Sequence, residues 1–142
     1  MAAFNKFQDF SEQLARGVHD FDAHTFKVAL TNAAPVATNT MLADITQIAA
    51  GNGYTTGGQA TTISVAEAAG VTTISGTQVV FTAAGGAMGP LRYAVLYNDT
   101  ATSPADALIG WWDYGSSISL QDGENITVKF NNASPGAILT IG

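Results

Sequence analysis

A chain of 142 residues with 46% hydrophobic side chains is long enough to close a core of its own, and with no cysteine it has no disulfide, thiolate metal site or cysteine nucleophile. Only 11% of residues are charged, the formal net charge is −6, and the five basic residues (Lys6, Arg16, Lys27, Arg92, Lys129) are scattered, so no basic face for phosphates is expected and nucleic acid is not an expected partner. A surface covered by Thr, Ser, Asn, Gln, Ala and Gly in place of charge favours association with other protein. No apolar run approaches the roughly 18 to 20 residues that span a bilayer, and the N-terminus lacks a basic region followed by an unbroken apolar stretch. The expectation is a soluble chain made in the cytoplasm, not exported by a signal peptide and without a membrane partner.

Hydrophobic period divides the chain into residues 1–22, a helix or arm, and 23–142, an antiparallel β domain. In the first part Phe7, Phe10, Leu14, Val18 and Phe21 recur at spacings of three and four, one apolar stripe on an amphipathic helix that ends by Asp20 or Asp22. Two uses of that stripe are open: it closes the chain's own core, or it docks on a neighbouring subunit. From Phe26 the period switches to two, with Phe26, Val28 and Leu30 alternating with Lys27, Ala29 and Thr31, which is a strand. Met41, Leu42, Ile45 and Ile48 sit at helical spacing for little more than two turns before the glycines of "GNGYTTGGQ", giving a short helix or structured turn and then a loop.

Short runs rich in Thr, Val and Ile follow: "ATTISVAEA", "VTTISGTQVVFTA", "LRYAVLYND", "ALIGWWDYG", "SISL", "NITVKF" and "GAILTI". Turn signals separate them, so the expected fold is mainly β, an antiparallel β-sandwich or barrel with an N-terminal amphipathic helix. Gln121-Asp122-Gly123-Glu124 is the clearest hairpin signal, predicted to join "SISL" to "NITVKF". In the latter Ile126, Val128 and Phe130 take the core face, and Thr127 and Lys129 face out. Asn98 to Ala107 reads as a long exposed loop.

Chemistry-bearing residues have structural readings beside the functional ones. "HDFDAH" holds His19, Asp20, Asp22 and His24, donors suited to a divalent ion, yet it lies where a helix hands over to a strand and such residues satisfy backbone groups. Asp113, Asp122 and Glu124 are candidates for a carboxylate pair, but the last two are explained as turn residues. No Gly-x-Ser-x-Gly turn is present, and the glycine clusters lack the lysine and following helix of a phosphate loop. No catalytic residue, metal ligand or cofactor is assigned.

The aromatic cluster of "LIGWWDYGSSISL" is the strongest candidate for binding. On a regular strand Leu108, Gly110, Trp112 and Tyr114 face one way and Ile109, Trp111 and Asp113 the other, so one tryptophan is expected inside and one outside. An outward Trp beside Asp113 suits a sugar ring or anchors a subunit interface; alternatively both faces are buried between layers. The expected interface residues are Phe4, Phe7, Phe10, Leu14, Trp111, Trp112 and Tyr114.

The stretches "FNKFQDF", "HTFKVALTNAAPVATNT", "ITQIAAGNGYTTGGQ", "VVFTAAGGAMGPLRYAVLYNDT" and "ADALIGWWDYGSSISLQDGENITVKF" together resemble a group of small virion structural proteins of tailed bacteriophages. The resemblance covers nearly the whole chain and is strongest in "GNGYTTGG", "RYAVLYND" and "LIGWWDYGSSISL". It implies a virion component and supplies no catalytic residues. Within virions the chain looks most like a capsid decoration, or cement, protein, which implies a homo-oligomer, a trimer by analogy, bound to the major capsid protein on the outside of the shell. The alternative is a tail or fibre component with a carbohydrate-binding role.

Overall fold

The computed structural model describes residues 2–131 and 133–142. In chain order the elements are β1 (Asn5–Lys6), α1 (Asp9–Ala15), β2 (Phe26–Thr31), a single 3₁₀ turn at Leu42–Asp44, β3 (Gln59–Thr61), β4 (Ile63–Ala68), β5 (Val71–Gly76), β6 (Val79–Thr82), β7 (Met88–Asn98), β8 (Leu108–Leu120), β9 (Asn125–Val128) and β10 (Gly136–Ile141). The protein is mainly β, and every strand pair is antiparallel. A five-stranded sheet runs β1, β8, β7, β2, β3; a three-stranded one runs β10, β5, β4; and β6 pairs with β9.

The five-stranded sheet buries apolar side chains on both faces. Phe26, Val28 and Leu30 of β2, with Leu91 and Leu96 of β7, join Ile74, Phe81, Phe130 and Ile138 from the smaller sheets and their connections in the larger core. Ala29, Val95, Tyr97 and Leu108 face the other way and meet Phe7 and Ile45 in a second, smaller core. Strands buried on both sides lose the polar alternation of a half-solvated sheet, which is why β2 from Val28 to Thr31 is buried at every residue.

The N-terminal segment departs from the expected long helix. Asn5 and Lys6 pair with Trp111 and Gly110, and the Phe7 N–H donates to the Ile109 carbonyl at 3.1 Å, so the backbone is extended through Phe7. The helix is only Asp9–Ala15 and stops where Gly17 takes φ +80°, a left-handed turn that costs glycine nothing. Phe7, Phe10 and Phe21 are buried in the chain's own core, with Phe7 on one side of the main sheet and the other two on the opposite side. Residues 2–22 therefore pack on the main sheet and do not form a separate arm: β1 is an edge strand of that sheet.

The predicted hairpin at 121–124 is also corrected. The turn is present, since the Glu124 N–H donates to the Gln121 carbonyl at 2.9 Å and Gly123 has φ +89°. The flanking strands do not pair across it. Leu120 ends β8 opposite Met88 of β7, whereas Asn125 opens β9 opposite Thr82 of β6. The chain thus changes sheets at this turn, which is held by backbone bonds between Ala83 and both Gly123 and Glu124. The helical spacing at Met41–Ile48 yields one 3₁₀ turn, after which Gln47 bridges to Thr31. Asn98 to Ala107 does connect β7 to β8, but its ends are joined by the Asn98 N–H and the Ala107 carbonyl at 2.9 Å, and Asn98, Ala101 and Ala107 are buried.

Candidate interaction surface

Strand β8 carries the aromatic cluster and is irregular at two places. Leu96 of β7 opposes Gly110 while Tyr97 opposes Leu108, so Ile109 is an extra residue in the ladder. A bulge of this kind puts two successive residues on one face. Ile109 and Trp112 accordingly enter the larger core, and Leu108 and Trp111 the smaller one. The expected grouping of Leu108 with Trp112, and of Ile109 with Trp111, is therefore overturned upstream of the tryptophans.

Trp112 is only 7% exposed and lies 4.9 Å from the Phe130 ring and 5.3 Å from Phe4, centroid to centroid. Phe4 reaches this place because Gly110 leaves room; a Cβ there would run into its ring. Trp111 is half-buried over Phe7, 4.6 Å away on the other face. Among the expected interface residues, Phe7, Phe10 and Trp112 are thus enclosed in the chain's own core, and Phe4 and Leu14 are partly buried against it. Tyr114 alone stands open, at 59% exposure.

Tyr114 owes its position to the second irregularity. Leu91 opposes Ile118 and Tyr93 opposes Asp113, so two steps along β7 match five along β8, and Tyr114–Ser117 loop outward. Two anchors flank the excursion. Arg92 donates from Nε and Nη2 to the two Asp113 oxygens at 2.8 and 3.1 Å, and the Ser117 hydroxyl donates to Asn32 Oδ1 at 2.8 Å. The Arg92 bonds, and then the Gly115 N–H, hold the Asp113 carboxyl below the usual carboxylate range. Beside the excursion a cleft of about 230 Å³ opens between the main sheet and β9. Leu91, Ala94, Trp112, Ile126 and Val128 give it apolar walls, and Arg92, Tyr114 and Lys129 are at its rim. The alternation expected for "NITVKF" places Ile126 and Val128 inward and Lys129 outward, as observed.

The carboxylates and imidazoles singled out in the sequence do not converge. Asp122 accepts the Gly85 N–H at 2.9 Å, and Glu124 accepts the Gln121 N–H at 2.7 Å. His19 Nδ1 and His24 Nδ1 lie 3.1 and 3.0 Å from the same Asn98 Nδ2, and Asp20 accepts the N–H groups of Asp22 and Ala23. Among the described residues no group of three or more His, Asp or Glu is placed to hold a metal ion, and no helix is long and apolar enough to cross a membrane.

The glycine-rich loop is a scaffold with a legible chemistry. Buried Tyr54 accepts the Leu30 N–H at 3.1 Å through its hydroxyl, which donates to Gln47 Oε1 at 2.6 Å. Gln47 Oε1 also accepts the Gly57 N–H, and the Tyr97 hydroxyl donates to the Gly57 carbonyl at 2.6 Å. Burial pushes both phenols above their ordinary pKa.

No protein-family model matches the chain, and no curated protein or solved structure matches it.

Proposed function

We propose that this chain is a non-enzymatic structural protein of a tailed-bacteriophage virion, a head decoration protein that binds the exterior of the capsid as a homo-oligomer and contacts the major capsid protein. We read its sheets as a β-sandwich, with the five-stranded sheet as one layer and the two smaller sheets as the other. The observation that carries the reading is where the exposed apolar groups lie. Val65 and Ile141 share one face of the three-stranded sheet and Val71 lies on its other face, Val36 and Val80 are exposed elsewhere, and Tyr114 stands beside the cleft, while Phe7, Phe10 and Trp112 are drawn inside. A protein that staples subunits together needs adhesive patches on a stiff body, and few charges to desolvate when those patches close.

The polar groups support the same reading. Asp113, Asp122 and Glu124 each accept hydrogen bonds from protein groups, and Asn98 links two histidines. The tail and carbohydrate alternative is less well supported, because Trp112 is closed over and Trp111 covers Phe7, which leaves neither ring free on a flat platform.

Cryo-electron microscopy of the parent virion tests the proposal. The expected result is density for this chain repeated on the outer capsid lattice; density on the tail alone overturns it.

A further inference from the structure

We infer that the exposed end of the β4–β5 hairpin of one copy seats in the β7–β8–β9 cleft of a second copy. This deepens the homo-oligomer reading above by naming the contact.

The hairpin needs a cover. Every residue from Ser64 to Val71 is exposed; Val65 and Ile141, 45% and 43% exposed, share one face with Glu67, and Val71, 42% exposed, lies on the other. An edge strand with free backbone groups and apolar side chains is a site at which another chain is expected to add. Its tip is pre-organised, since Glu67 Oε2 accepts the Gly70 N–H at 2.8 Å across the turn, so little ordering is required on docking.

The cleft matches the hairpin in size and charge. At about 230 Å³ it is smaller than the roughly 300 to 1,000 Å³ of a pocket for a small organic ligand, and suits one or two apolar side chains. Glu67 is the single charged residue between Gln59 and Thr82. Two of the chain's five basic residues, Arg92 and Lys129, stand at the cleft rim. Asp113 occupies Arg92, while Lys129 makes no ion pair among the described residues. A lone acid on an apolar projection therefore meets a lone cation beside an apolar hollow. The hairpin and the cleft are different surfaces, so the contact is either made twice in a two-fold dimer or repeated head-to-tail from copy to copy, and the mass read below separates the two.

Charge exchange tests the contact, read as mass by light scattering across a dilution series with far-UV circular dichroism to verify folding. The wild-type chain is expected to associate, and E67K and K129E each to raise the dissociation constant by about tenfold. The doubly exchanged chain is expected to return to within about threefold of wild type. E67Q, which retains an acceptor for the Gly70 N–H, is expected to weaken association by a smaller factor. A wild-type chain that stays monomeric at about 100 µM, an unaffected E67Q, or a double variant no better than the singles overturns the contact. Binding of the same proteins to bare capsids separates this contact from the decoration reading. A monomer that binds capsids overturns the contact alone; a charge-dependent oligomer that does not bind them supports the contact and removes the decoration role.

Discussion

The Tyr54 hydroxyl ties the 47–57 loop to β2 by accepting the Leu30 N–H and donating to Gln47. Tyr54→Phe leaves that buried N–H and the Gln47 oxygen short of a partner, and is expected to cost about 1–3 kcal/mol in urea denaturation with the slope unchanged. Gly58, at φ +76°, abuts the Val28 carbonyl, so Gly58→Ala combines backbone strain with a clash and is expected to cost at least as much. His19 gives a pH dependence whose sign follows from its burial. Desolvation first, and then the nearby His24, lower its pKa from 6.5 to about 4 in the fold. As pH falls below 6.5 the unfolded chain takes up a proton that the folded chain refuses, so stability drops until about pH 4 and then levels. The loss is on the order of 3 kcal/mol. His19→Gln keeps an acceptor for Asn98 and is expected to flatten this part of the stability–pH curve; an unchanged slope assigns the titration elsewhere. The sequence displayed these residues but not their partners, because Tyr54 and Leu30, like His19 and Asn98, come together only through the tertiary fold.

Among the elements, β8 decides most. Trp112→Ala removes a buried ring from between Phe4 and Phe130 and is expected to cost about 3–5 kcal/mol, whereas Trp111→Ala, half-exposed over Phe7, should cost markedly less by the same denaturation measurement. The strands themselves were legible in part: β2 and β9 follow their period of two, but "ATTISVAEA" and "VTTISGTQVVFTA" each divide into two strands, and "ALIGWWDYG" and "SISL" merge into the single strand β8. Side-chain direction along β8 was not, because parity counting assumes an unbroken ladder and the extra residue at Ile109 resets it. The turn at 121–124 was legible as a turn. Its strands change sheets because β9 finds its partner in β6, which no local signal announces. The helical spacing of Phe7 with Phe10 was misleading for a related reason: two aromatics three apart also fit an extended residue followed by a helix, one for each side of a sheet.

For the whole molecule, the N-terminal residues decide whether assembly and folding are separable. Deleting residues 1–10 removes β1 and both Phe7 and Phe10, 0% and 4% exposed. At about 3–5 kcal/mol for each ring, the loss approaches the roughly 5–15 kcal/mol that holds a domain together. The truncated chain is therefore expected to lose cooperative thermal unfolding; a folded but non-assembling product would assign these residues to an interface instead. The intact chain, whose main sheet contributes to both cores, is expected to unfold in one calorimetric transition. The cleft lay beyond sequence reasoning, since its walls come from residues near 92, 112 and 127 that only the sheet change after β8 brings together.

The bulge at Ile109 also supplies the protein with two internal optical gauges. Trp111 and Trp112 are neighbours in the chain, yet one reports on each side of the main sheet, the first partly open to quenchers and the second shielded. Single Trp→Phe replacements would therefore reveal which side loosens first on heating, and which side dims as the protein concentration is raised.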